Sequence, residues 1–282
     1  IQGTKLPEHV DSIEAKGIQS VKVIDSKPIG ANVRSTVATY DGVFDDLRKL
    51  FARTADAKAK GLTAGDFSYN TGKLRCPVCD GTGIITMDVQ FLPDVDTICP
   101  SCGGSRYGKD AYDILWKSKE KDSVSVSLPG LLKLTVEEAA GILHEETKIA
   151  KQLKILQDLG VCYLTLGEAT PALSGGEAQR LKLAYEMETP QQGSVFVFDE
   201  PTIGLHPQDV KKLVLIFDHL IQLGATVIVI EHDLELVTNC DYIIDMGPWG
   251  GTEGGRVVVE GTPEAVAATS ESITGRYLKQ EL

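Results

Sequence analysis

Two short apolar runs separated by one helical stretch set the fold class of this chain. Ser194-Val-Phe-Val-Phe198 and Ala225-Thr-Val-Ile-Val-Ile230 are rich in β-branched and aromatic residues, the pattern of strands buried on both faces. Between them, Gln208 to Leu223 places Val210, Leu213, Val214, Phe217, Leu220 and Ile221 at helical spacing, with Gly224 as the stop. Parallel strands need a crossover of about this length, so the segment is expected to form a βαβ unit. A further run, Tyr242 to Met246, precedes a Gly-rich turn and a strand expected over Arg256 to Glu260. The class is α/β.

Upstream, Thr135 and Glu138 have capping-box spacing and predict a helix with Val136, Ala139, Ala140 and Leu143 on one side. A second helix is expected through Ile149, Leu153, Leu156 and Leu159, ending at Gly160. Residues 76–107 follow neither period and, being rich in Gly, Pro and Cys, read as an insertion. The 282 residues are enough for one large domain or two ordinary ones with cores of their own. No stretch of eighteen apolar residues occurs, so no membrane-spanning segment is expected and a cytoplasmic location is.

A net charge of −12 argues at first against a nucleic-acid partner, because phosphate neutralisation needs Lys and Arg. The acid is unevenly placed, however. Residues 1–121 hold 17 Lys and Arg against 16 Asp and Glu, whereas residues 122–282 hold 11 against 24. Any nucleic-acid contact is therefore expected in the first part, where Phe44 to Arg75 carries seven bases against four acids. A solvated helix face gives the same charge pattern.

Cys76-Pro-Val-Cys79 and Cys99-Pro-Ser-Cys102 bring two thiolate pairs, each on a tight turn, and four such ligands complete a closed tetrahedral site. Gly81, Gly83, Gly103 and Gly104 supply the backbone freedom these knuckles need. One structural Zn2+ on Cys76, Cys79, Cys99 and Cys102 is the expectation; two disulfides are the alternative. Cys162 and Cys240 are expected as small core residues.

Leu173-Ser-Gly-Gly-Glu-Ala-Gln-Arg180 combines a capping box, Ser174 with Glu177, and two glycines that let an anion approach the first-turn amides of the following helix. Asp199 and Glu200 follow the first apolar run, at the strand end where ligands of open parallel sheets sit. Asp199 there can hold Mg2+ through its hydration shell, and Glu200 can polarise an attacking water. Glu231-His232-Asp233 follows the next run, and His232 can donate a hydrogen bond to a γ-phosphate.

Together these motifs resemble the ATP-binding cassette (ABC) ATPases, with a signature at 173–177, a Walker B strand at 195–200, a D-loop at 203–206 and a switch histidine at 232. More closely, the chain resembles the C-terminal part of the UvrA family, the damage-recognition ATPases of bacterial nucleotide excision repair, or a paralogue of them. Pro28-Ile-Gly30, Arg34-Ser35 and Ala38-Thr-Tyr40 resemble that family's Q-loop segment. The four-cysteine module, with Phe91-Leu-Pro-Asp94 inside it and Arg106-Tyr107 after it, resembles its zinc finger. Ile244-Asp-Met-Gly-Pro248 and Gly261-Thr-Pro-Glu264 extend the likeness, which runs from about residue 20 to the C-terminus.

The resemblance implies an ABC-type ATPase domain, a mostly parallel sheet with helices on both faces, a signature helical region and an inserted four-cysteine zinc finger. It divides the chain into a partial ATP-binding segment with a degenerate Q-loop (1–43), a finger-bearing segment (44–121), a signature region (122–190) and a Walker B and switch part (191–282). It implies ATP, Mg2+ and Zn2+ as cofactors, with Glu200 and His232 catalytic and Asp199 serving ATP in cis. Ser174, Gly175, Gly176 and Glu177 would serve ATP held by a second cassette. Damaged DNA, a homodimer partner and a UvrB-like repair subunit are the implied partners. Lys73, Arg75, Arg106, Lys109, Lys117 and Lys119, flanking the finger, are the candidate DNA contacts, or else solvated surface charges.

The sequence departs from the family in two ways. No G-x-x-x-x-G-K-[ST] phosphate loop occurs, and the family carries it upstream. With Ile1 as first residue, the expectation is a chain truncated at its N-terminus that does not by itself hydrolyse ATP. The Q-loop reads Asp25-Ser26-Lys27-Pro28 where the family has Asp-Gln-Ser-Pro, Asn32-Val33 stands for Thr-Pro, Ile203 for Thr and Pro207 for Phe. These changes favour a paralogue, including one serving resistance to DNA-binding drugs. A transporter's nucleotide-binding subunit is a further alternative, which the zinc insertion disfavours. Cys76 to Gly83 also fits one repeat of the DnaJ cysteine-rich domain, which needs four repeats for two zinc ions.

Overall fold

The computed structural model describes residues 6, 8, 10–87, 95–119, 124–187, 191–249 and 254–282. Phe91 to Asp94 of the finger and part of the Gly-rich turn, residues 250–253, lie outside them. The chain forms two compact units, residues 27–189 and residues 1–26 with 190–282.

In the 27–189 unit an aromatic core gathers around the helix Val43–Ala52, which buries Val43, Phe44, Leu47 and Phe51 at the spacing of one helical face. Phe44 packs on Tyr69 at 4.8 Å between ring centroids, and Tyr69 meets Tyr107 edge-on at 6.1 Å. Both tyrosines satisfy their buried hydroxyls on main chain, Tyr107 on Phe67 O at 2.6 Å and Tyr69 on Arg34 O at 3.0 Å. Thr135 and Glu138 close the expected capping box at the start of the helix Val136–Ile142, and Gly160 (φ 71°) follows the end of Thr147–Asp158. The insertion is a hairpin of Ile84–Met87 with Val95–Ile98, standing on the two cysteine knuckles.

In the other unit the strands Ser20–Ile24, Ser194–Asp199 and Thr226–Ile230 form a parallel sheet with Ser194–Asp199 in the middle. The first strand is an alternating Val-Lys-Val-Ile run, too short to predict a strand without its partner. The helix Pro207–Gln222 is the crossover, and Phe217 packs on Phe198 at 4.6 Å. Ile216 is buried on this helix, whereas Ile221 is exposed. A hairpin of Ile243–Gly247 with Arg256–Gly261 carries the helices Pro263–Ala268 and Ile273–Glu281. Asp245 ties them together by accepting from Ser272 Oγ at 2.6 Å and Thr274 Oγ1 at 2.8 Å.

The expectation of strands buried on both faces holds for Ser194–Asp199 and fails for Thr226–Ile230. In register, Val21, Val23, Val195, Val197, Ile228 and Ile230 point to one face, and Phe196, Phe198, Val227 and Val229 to the other. The second face meets the crossover helix. On the first, Val21, Val23, Ile228 and Ile230 are 41, 61, 50 and 56% exposed. Asp199 pairs with Ile230 at the end of that open face.

Candidate functional site

The two parallel strands deliver their acids side by side. Glu200 follows the central strand with φ 47°, a left-handed conformation costly for a non-glycine residue, and its amide donates to Ile230 O at 2.9 Å. His232 leaves the neighbouring strand, and its Nδ1 lies 3.8 Å from Glu200 Oε1. Both side chains are substantially exposed, while Glu231 between them is 2% exposed. A carboxylate and an imidazole placed so can bind and orient a water and a phosphoryl oxygen at one point. Asp233 caps the short helix Leu234–Val237 by accepting from Leu236 N at 3.1 Å.

The glycine-containing motif opens the helix Gly175–Met187. Its capping box is formed: Ser174 N donates to Glu177 Oε2 at 2.7 Å and Glu177 N to Ser174 Oγ at 3.4 Å. Tyr163, which no motif in the sequence marks, donates its hydroxyl to Glu177 Oε1 at 2.7 Å. Burial raises the Glu177 pKa, but the hydrogen bonds from Tyr163 and Ser174 outweigh it, so the carboxyl sits below its usual range. Gly175 and Gly176 occupy the first turn, where amides without an intrahelical partner suit an anion.

The four thiols of Cys76, Cys79, Cys99 and Cys102 converge, with all Sγ atoms within 4.8 Å of one another. Cys76 Sγ lies 3.9 Å from Cys99 Sγ, and Cys79 Sγ 3.7 Å from Cys102 Sγ. Four thiolates about 2.3 Å from one zinc ion stand about 3.8 Å apart, so the donor set fits that ion and leaves no open position. These separations are too long for disulfides, and all four thiols are free. Gly81 sits against the Tyr69 carbonyl, where an added Cβ would lie 1.7 Å from the oxygen, so the first knuckle admits only glycine there. Cys162 and Cys240, expected in the core, are half-buried.

The candidate DNA contacts divide. Lys109, Lys117 and Lys119 are exposed. Lys73 pairs with Asp66 at 3.4 Å and Arg75 with Asp80 at 3.1 Å. Arg106 is 5% exposed, and the expectation fails on it. Its Nη1 donates to Val33 O at 2.9 Å and its guanidinium lies 5.1 Å from the Tyr69 ring, an internal brace with no surface to offer a phosphate. Burial lowers its pKa. We expect Arg106→Gln to lower stability by about 2–3 kcal/mol in denaturant titration, since a charged hydrogen bond and a cation–π contact are lost, and to leave DNA affinity unchanged when folded.

No family model matches the chain. UvrABC system protein A (UvrA) of Staphylococcus aureus (strain COL) is 45% identical over 260 residues, 92% of this chain. The chain is homologous to part of UvrA. UvrA of Bacillus subtilis (strain 168) is 44% identical over 270 residues, 94% of the chain. The chain spans 27 and 28% of the length of these two relatives. Among solved structures, UvrA2 from Deinococcus radiodurans matches 95% of this chain and 32% of its own length, with a TM-score of 0.85 at 41% identity. The fold is accordingly the α/β, ABC-ATPase-like fold of UvrA, with a cluster of four cysteines.

Proposed function

We propose that this chain is the Walker B, signature and zinc-bearing part of a UvrA-type ABC ATPase that acts on damaged DNA in nucleotide excision repair. The observation that carries this reading is Glu200 and His232 meeting at the ends of adjacent parallel strands in a chain 45% identical to UvrA. Asp199 is the residue that would hold Mg2+, and the ion, when bound, would offset charge on the phosphates. Glu200 orients the attacking water and takes its proton, and His232 donates to a γ-phosphoryl oxygen. Ser174, Gly175, Gly176 and Glu177 serve ATP held by the second cassette, through the first-turn amides and the positive end of the helix dipole. Cys76, Cys79, Cys99 and Cys102 hold one structural zinc, and Lys73, Arg75, Lys109, Lys117 and Lys119 are the residues to test for DNA contact. A homodimer partner and a UvrB-like subunit complete the assembly.

The residues present suit the water and metal end of an ATP site but not its phosphate grip, because the sequence has no phosphate-binding loop with its Lys. The open sheet face beside Asp199, lined by Val21, Val23, Ile228 and Ile230, is the seat we assign to the loop-bearing part of the longer protein. The purified 282-residue chain is therefore expected to show no steady-state ATP turnover. Phosphate release above the buffer rate, abolished by Glu200→Gln, would overturn that.

Ser26-Lys27 in place of the family's Gln-Ser favours a second reading, a paralogue serving resistance to DNA-binding drugs. Fluorescence anisotropy of the full-length protein on damaged and undamaged duplex separates the two. Tighter binding to the damaged duplex supports repair; equal affinity sinks damage recognition.

A further inference from the structure

Glu231 has the environment of a working part with no role yet given to it. Its side chain is 2% exposed, and a buried carboxylate persists only when its oxygens are well supplied with donors. Four donors reach it, and they come from two loops. Oε1 accepts from the Thr202 amide at 2.8 Å and from the Thr202 hydroxyl. Oε2 accepts from the His232 amide at 2.8 Å and the Asp233 amide at 3.1 Å. One oxygen thus holds the loop that follows the central strand, the other the loop that follows its neighbour.

Thr202 stands two residues beyond Glu200, whose left-handed backbone persists only if its surroundings fix it. The Glu200 amide is pinned on Ile230 O at 2.9 Å, and Ile203 N returns to Glu200 O at 3.3 Å, so the turn is short and closed. Anchoring Thr202 therefore anchors Glu200. The other oxygen anchors the His232 main chain directly. Burial alone would raise the Glu231 pKa; the hydrogen bonds from Thr202, His232 and Asp233 outweigh it and bring it below the ordinary glutamate value.

We propose that Glu231 is the positioning residue of the hydrolytic site, a buried carboxylate that ties the Glu200 loop to the His232 loop and sets their separation. The inference rests on the reading of Glu200 and His232 as the hydrolytic pair. A misplacement of the order of 1 Å in such a pair costs rate and not nucleotide binding. Glutamine in place of Glu231 keeps the shape but turns one oxygen into a donor facing donors, so one of the two loops is released.

The test compares Glu231→Gln, Thr202→Val, the double variant and Glu200→Gln in the full-length protein that carries this chain and a phosphate-binding loop. ATP turnover and nucleotide affinity are read for each. Glu231→Gln is expected to lower kcat by at least about tenfold with KM and nucleotide affinity within about threefold of wild type. Thr202→Val should lower kcat less, and the double variant should be no slower than Glu231→Gln alone. Wild-type kcat in Glu231→Gln, beside an inactive Glu200→Gln, overturns the positioning role and leaves the hydrolytic pair standing. Full activity in Glu200→Gln overturns the pair itself. Should Glu231→Gln fail to fold, Thr202→Val decides: reduced kcat at unchanged affinity supports the tie, and unchanged kcat overturns it.

Discussion

Replacing Cys76 with serine is expected to empty the four-cysteine centre and unfold the knuckles and hairpin of residues 76–104. Among the described residues, the interior of this segment is a cluster of Cys76, Cys79 and Cys99 with Ile85 and Cys102 packed against it. Thiols and one isoleucine bury too little apolar surface to hold a fold against chain entropy. The hairpin leaves Met87, Val95 and Ile98 exposed, so it adds no second core. On the proposed zinc reading, metal binding supplies the difference, since a structural zinc on four thiolates contributes on the order of 10 kcal/mol. Serine is a poor zinc ligand, so most of that is lost. The helices around Phe44, Tyr69 and Tyr107 keep their own core, and far-ultraviolet dichroism should fall only slightly while limited proteolysis cuts within 76–104. Metal analysis should read one zinc per wild-type chain and less than about 0.2 in Cys76→Ser. Two ions per chain would instead favour the DnaJ-like reading, and full zinc occupancy in the variant would remove the case for this ligand set.

Features set by local chemistry were legible in the sequence. The capping boxes of Thr135 with Glu138 and of Ser174 with Glu177 formed as spaced, because each needs only three residues of chain. The glycines at 160 and 224 follow their helices with positive φ. The cysteine spacing found its four-fold cluster. Features set by distant partners were not legible. The run Thr226–Ile230 is apolar at every position but the first, so it carries no period to say which face stays open. The strand Ser20–Ile24 finds its partner at Ser194–Asp199, across most of the chain. Arg106 and Lys109 both read as bases beside the finger, yet one is folded over Tyr69 and the other exposed. Glu231 read as one more acid at a strand end. Its burial and the four donors converging on it distinguish it from Glu200 one strand away.

Glu200→Gln is expected to lower ATP turnover of the full-length protein by a factor of about a hundred or more, the range lost when a positioned general base is removed. Glutamine keeps the side chain's length, so the turn held by Ile230 and Thr202 persists, but an amide takes no proton from water. In the proposed role Glu200 orients the water and does not grip the phosphates, so the nucleotide should still bind. Stability should change little, since the Glu200 side chain is substantially exposed, at 45%. The most direct measurement is steady-state phosphate release by wild type and Glu200→Gln at saturating ATP and Mg2+, with nucleotide affinity read on the same samples. Turnover reduced about a hundredfold or more at unchanged affinity is the result this site predicts. Turnover equal to wild type in Glu200→Gln would contradict it.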